Sequence, residues 1–153
     1  MYQNTQNAIQ RARISRGLTQ EALAERSGYS SDSVRAWECG ARVASLEALD
    51  ILAACLDAAW LPGVYLREQS AALNALLPDF EVGRPLPEAA AEYISAILDL
   101  VDMRFDRQLL RLVADGKIDD SECEIFDGIL EAAGKASKAY YEMKFARRCE
   151  RDR

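Results

Sequence analysis

The sequence of 153 residues contains no histidine. The commonest general base and the commonest protein metal ligand are therefore missing. The four cysteines, Cys39, Cys55, Cys123 and Cys149, show no C-x-x-C spacing. They read as reduced thiols rather than as a disulfide framework or a zinc site. No apolar run approaches the roughly 20 residues that cross a membrane, and no signal peptide opens the chain. The expectation is a cytoplasmic protein without membrane contact. No glycine-rich phosphate loop and no nucleophile–base constellation is present, so no catalysis, no cofactor and no metal are expected. ADGKIDDSE matches only the late positions of a calcium loop, because Arg111 and Val113 stand where the first ligands belong. It reads as a turn before a helix.

Lysine is absent from the first 67 residues. That stretch holds seven arginines against seven acidic residues, a net charge of zero. The rest holds 12 basic and 18 acidic residues and so supplies the whole net charge of -6. Local field rather than net charge governs attraction to phosphate. A neutral unit polarised by Arg11, Arg16, Arg35 and Arg42 can still meet nucleic acid. It would bind weakly alone, which favours a dimer.

Half the residues are hydrophobic and only four are proline, which points to a packed all-α chain. A helix runs from about Asn7 to Arg16, with Ile9, Ala12 and Ile14 inward. GLTQEALAERSGYSSDSVRAWECG, residues 17–40, then reads as two short helices joined by a tight turn. Thr19 caps the first and Gln20 points outward from its start. Ala22, Leu23 and Ser27 face inward, and Gly28 allows the turn. Ser30 caps the second helix. Val34 and Trp37 share its buried face, leaving Ser31, Asp32, Ser33, Arg35 and Ala36 opposite. Ser45 caps a fourth helix with Leu46, Leu49, Leu52, Ala53 and Leu56 inward, and Pro62 opens a fifth. Trp60 either packs on this unit or meets a second copy.

The RGLTQ end of the first helix, EALAERSG, GYS, SDSVRAWECG and SLEALDILAACL together resemble the phage repressor and Cro helix-turn-helix family, often called XRE. The resemblance covers about residues 7–66. Departures are Trp37, where an aliphatic residue is usual, Ala44, where proline is frequent, and Asp32 on the phosphate-facing side. The resemblance implies a five-helix lambda-repressor-like domain at residues 1–67 whose residues 30–39 enter the major groove of double-stranded DNA. Thr19 and Gln20 would hold the phosphate backbone. Ser30 and Ser33 lie on the reading helix, and Ser31, Asp32, Arg35 and Ala36 would read base edges. Asp32 serves equally well as a helix-start charge. Arg42 is either a phosphate contact or a solvated loop residue. Arg13 and Glu38 would form an ion pair between helices.

Residues 68–87 hold three prolines and a glycine in PDFEVGRPLP, the mark of a linker or extended arm. From Pro87, an apolar stripe of Ala90, Ile94, Ile97, Val101, Phe105, Leu109 and Leu112 predicts one long helix reaching Asp115. Asp119 and Glu122 form a capping box for a second. Ile125, Phe126, Ile129, Leu130, Ala133, Ala136, Tyr140 and Tyr141 are its apolar positions. The two make an antiparallel hairpin, 88–153, whose width suits a homodimer through residues 88–148. The tail RRCERDR reads as disordered. The whole implies a sequence-specific transcriptional regulator, a bacterial or phage repressor binding a palindromic operator as a dimer. The alternative is a protein-interaction module, such as an antitoxin or phage accessory protein, with secondary or lost DNA binding.

Overall fold

The structure, a computed structural model, describes residues 6–147. It contains α1 (Ala8–Ser15), α2 (Gln20–Ser27), α3 (Ser31–Glu38), α4 (Leu46–Cys55), α5 (Leu61–Gln69), α6 (Ala71–Leu76), α7 (Leu86–Asp102), α8 (Phe105–Leu112) and α9 (Cys123–Lys144). Among the described residues there is no strand, and the chain is all-α. It divides into two compact units, Met1–Leu77 and Pro78–Arg153.

In the first unit, the helix starts follow local chemistry. Asn7, Thr19, Ser30 and Ser45 each accept a backbone N–H from the first turn of the helix they precede. Such caps satisfy donors that the helix itself leaves unpaired. Gly28 sits at φ 75° in the turn between α2 and α3, a conformation that glycine adopts without steric cost. Ile9, Leu23, Val34, Leu49, Leu52, Leu56, Leu61 and Tyr65 are fully buried and form one core. Two expected core residues lie outside it: Ile14 is 46% and Leu46 63% exposed. Each sits at the edge of its helix's apolar face, where periodicity alone does not set the inward direction.

The residues between α5 and α7 divide their contacts. α6 packs against α5 in the first unit. Phe80 stacks on Tyr141 and Phe145 of the second, with ring centroids 5.2 and 5.7 Å apart. Arg84 donates to Glu142, whose carboxylate also accepts the Glu81 backbone N–H. Glu142 is only 2% exposed.

The second unit departs from a simple two-helix hairpin. The expected single helix from Pro87 breaks at Met103–Arg104, where Arg104 takes φ 52° and α8 begins. α7 and α9 do run antiparallel, with Tyr93 beside Tyr140 and Arg84 beside Glu142. Their contact is rich in alanine: Ala96, with Leu100, of α7 meets Ala136 and Ala139 of α9. Of the stripe expected inward, Leu112 is buried and Phe105 packs on this contact, but its aliphatic residues on α7 are turned out. Ile94, Ile97 and Val101 are 59%, 38% and 58% exposed. On α9, Ile125, Leu130 and Tyr140 are likewise exposed. Alanine lets two helix backbones approach closely, so the small-residue face wins the intramolecular contact. Before α9, Asp119 Oδ1 accepts from Glu122 N, and Glu122 Oε2 accepts from Asp119 N. That is the expected capping box, set one turn ahead of the regular helix. Arg147, the first residue of the tail expected to be disordered, donates to Gly83 O and Arg84 O. The rest of the tail and residues 1–5 lie outside the described residues.

Candidate nucleic-acid interface

α3 is held by its buried side. Trp37 lies with its ring edge-on to Tyr29, centroids 5.0 Å apart, and its carbonyl accepts from Asn7 Nδ2 at 2.6 Å. The indole is larger than the aliphatic residue usual at this position. Tyr29 in the turn meets it with the two rings nearly perpendicular.

Glu38 is the hub behind this helix. Its carboxylate accepts from Arg13 Nε at 2.6 Å and Nη2 at 2.9 Å, and from Gln20 Nε2 at 2.7 Å. The carboxylate side chain is 3% exposed and the guanidinium 11%. Arg13 also donates to Leu18 O. The hydrogen bond to Glu38 outweighs burial and raises the Arg13 pKa, so the guanidinium stays charged. One nearly buried cluster therefore ties α1, the start of α2 and the end of α3 together. The ion pair between Arg13 and Glu38 is present as the resemblance implied.

The opposite side of α3 is open. Ser31, Asp32 and Arg35 are exposed, while Ser33 and Ala36 are half-buried. Arg35 has no carboxylate partner among the described residues. It lines a shallow depression of about 250 Å³ with Gln10, Gln20, Glu38 and Cys39. Gln20 uses one amide hydrogen on Glu38 and keeps a second donor for an external acceptor. Thr19 is exposed, and its hydroxyl accepts from Ala22 N. Glu21 beside it is held below the usual carboxylate range, first by its own backbone N–H and then by the Thr19 hydroxyl.

Ser30 and Ser33 are engaged with the helix start. Ser30 Oγ accepts from Ser33 N and donates to Ser33 Oγ. Arg42 Nη2 reaches Ser33 Oγ at 3.5 Å, and its backbone N–H donates to Ala36 O. The loop after α3 thus folds Arg42 back along the helix edge opposite to Arg35. Asp32 makes no side-chain cap; Ser30 does that work, and Asp32 contributes charge to the first turn.

Two arginines expected to polarise this side serve the packing instead. Arg11 pairs with Glu68 at 2.6 Å. Arg16 pairs with Asp57 at 2.9 Å and donates to Leu56 O. Their charges are compensated locally, leaving Arg35 and Arg42 as the cations flanking the open face of α3. Gln10 and Cys39 were not singled out from the sequence. Cys39 borders Arg35 as the residue one turn on, at the end of the same helix, whereas Gln10 does so because α1 crosses α3, a tertiary fact with no local signature.

Among the described residues, no helix is long and apolar enough to cross a membrane. No curated protein and no solved structure matches the chain. Residues 9–59 match the family model described as helix-turn-helix. That span runs from α1 to the α4–α5 turn, and over it the first unit is similar to helix-turn-helix domains of the XRE type.

Proposed function

We propose that the protein is a sequence-specific transcriptional regulator that represses by occupying a palindromic operator as a dimer. The observation that carries this reading is the unpaired Arg35 on the open face of α3, beside the spare amide donor of Gln20. An arginine so presented can hold guanine O6 and N7 with two hydrogen bonds. Ser31, Asp32 and Ala36 complete the base-reading face, with the Asp32 carboxylate suited to a cytosine amino group. Thr19, Gln20 and Arg42 contact phosphates, and Ser30 and Ser33 hold the helix start against the backbone. One such unit touches few base pairs, so two copies would bind half-sites about 34 Å apart.

A second reading is a protein-interaction module, an antitoxin or phage accessory protein, in which DNA binding is secondary. The outward aliphatic face of α7 favours it. Fluorescence anisotropy on selected and scrambled duplexes, across a salt titration, separates the two. The regulator binds the selected duplex at least about a thousandfold more tightly, with log Kd linear in log salt. Equal affinity for both duplexes overturns it.

A further inference from the structure

The second unit has two unlike sides. On one, charges are paired: Lys135 bonds Glu131 at 2.8 Å, and Arg84 bonds the buried Glu142. The Lys135 pKa is raised first by Glu131 and in smaller part by the charge of Asp99 on α7. Arg84 feels Glu92 in the same way, after its dominant bond to Glu142. Asp99 and Glu92 therefore face the same edge of α9 as Lys135 and Glu142.

The other side is marked by Tyr93 against Tyr140, centroids 6.3 Å apart. Beyond Tyr93, Ile94, Ile97, Leu98 and Val101 repeat at steps of three, one and three, which is one helix face. On α9, Leu130 lies ten residues before Tyr140, about 80° around the helix from it. Leu98 and Leu130 are each 53% exposed and Tyr140 42%. Both helices thus carry exposed apolar side chains beside the Tyr93–Tyr140 contact, with Lys144 over the Tyr140 ring at the rim.

We propose that a second copy of this chain docks on that face, through Ile94, Ile97, Leu98, Val101, Leu130 and Tyr140, while the charged side stays in water. This rests on the dimeric reading above and adds which surface joins the copies. The six side chains expose the equivalent of about three large apolar residues, on the order of 500 Å² per copy before the intervening alanines are added. A standard interface removes roughly 800 Å² per partner. With those alanines the face approaches the area one partner of a dimer buries, and it lies in the upper part of the range of a typical monomer's largest apolar patch, which is often functional. Pairing it with itself leaves Glu92 and Asp99, which helical spacing sets away from Ile94, Ile97 and Val101, outside the contact, with Asp102 and Lys144 at its rim. The net charge of -6 carried by residues 68–153 disfavours an anionic lipid surface as the occupant.

The test is sedimentation equilibrium of the full chain, 17.0 kDa, and of Val101→Glu, Ile97→Glu and Asp99→Asn, with far-ultraviolet dichroism as a folding check. The wild type and Asp99→Asn should sediment as two chains. Each glutamate variant should keep its helicity and associate about thirtyfold more weakly or worse. A dimer indifferent to folded Val101→Glu and Ile97→Glu overturns the face and leaves the dimeric reading standing. A monomeric wild type at about 50 μM overturns both, since a regulatory dimer has micromolar affinity or better. Should the glutamate variants unfold, isotope-filtered methyl NOEs between labelled and unlabelled wild-type chains decide. Intermolecular contacts at Ile97 and Val101 support the face, and their absence in a dimer overturns it.

Discussion

Ala44 donates its backbone N–H to the hydroxyl of Tyr65 at 3.1 Å, inside the core of the first unit. The bond joins the loop after α3 to α5, and Tyr65 is 1% exposed. Proline, frequent at the position of Ala44 in the family this unit resembles, has no N–H to give. Tyr65→Phe strands that donor without changing the ring. The expected cost is about 1–3 kcal/mol in urea unfolding. A loss near zero would mean that the loop finds another acceptor.

Arg13 and Glu38 lend themselves to a double-mutant cycle. Glu38→Ala leaves a nearly buried guanidinium without its carboxylate and is expected to cost about 3–5 kcal/mol. Arg13→Ala/Glu38→Ala should cost much less than the sum of the single changes, because neither charge is then left alone. Additive losses would show that the pair does not brace α1 on α3.

Much of the first unit is legible from its sequence, because its helix starts are encoded locally. Thr19, Ser30 and Ser45 each stand one residue before a helix and cap it. The second unit is less legible for two physical reasons. The turn at Arg104 has no glycine or proline to announce it, and the apolar stripe runs straight through. The hairpin also offers two apolar faces, one aliphatic and one rich in alanine. Periodicity finds both, but only packing decides that Ala96 and Ala136 go inward while Ile94 and Val101 go outward. In the site, the exposed positions of α3 follow from Val34 and Trp37 being buried. The bonds from Gln20 to Glu38 and from Arg42 to Ser33 join distant elements and have no sequence signature.

Acidification should loosen the start of α9. The hydroxyl and backbone N–H of Ser121, then the N–H of Glu122, hold Asp119 below its ordinary value of 3.8. A carboxyl whose folded pKa is depressed contributes stability above its unfolded pKa and loses it as pH falls through the folded one. The melting difference between wild type and Asp119→Asn should be full at pH 6, shrink below about pH 4 and vanish once Asp119 is protonated. A difference unchanged down to pH 2 would contradict the charged cap.

Arg35 and Arg42 should fail in different ways. With Arg42 in the proposed phosphate contact, Arg42→Ala should weaken binding to all duplexes alike and reduce the salt slope by about one. Arg35→Ala removes the proposed base readout. It should cost about 1–3 kcal/mol on the preferred site and flatten discrimination at one position of each half-site. Competition titrations against single-base variants measure both. Identical signatures would undo the assignment of roles.

The most direct measurement is a genome-wide selection of bound DNA with the purified full chain, repeated with Arg35→Ala. Enrichment of a short inverted repeat, lost or relaxed in Arg35→Ala, is the expected result, and its half-site spacing would give the dimer geometry. No enriched sequence at moderate salt would contradict the account. It would leave α2 and α3 as a scaffold and turn attention to proteins that bind α7 and α9.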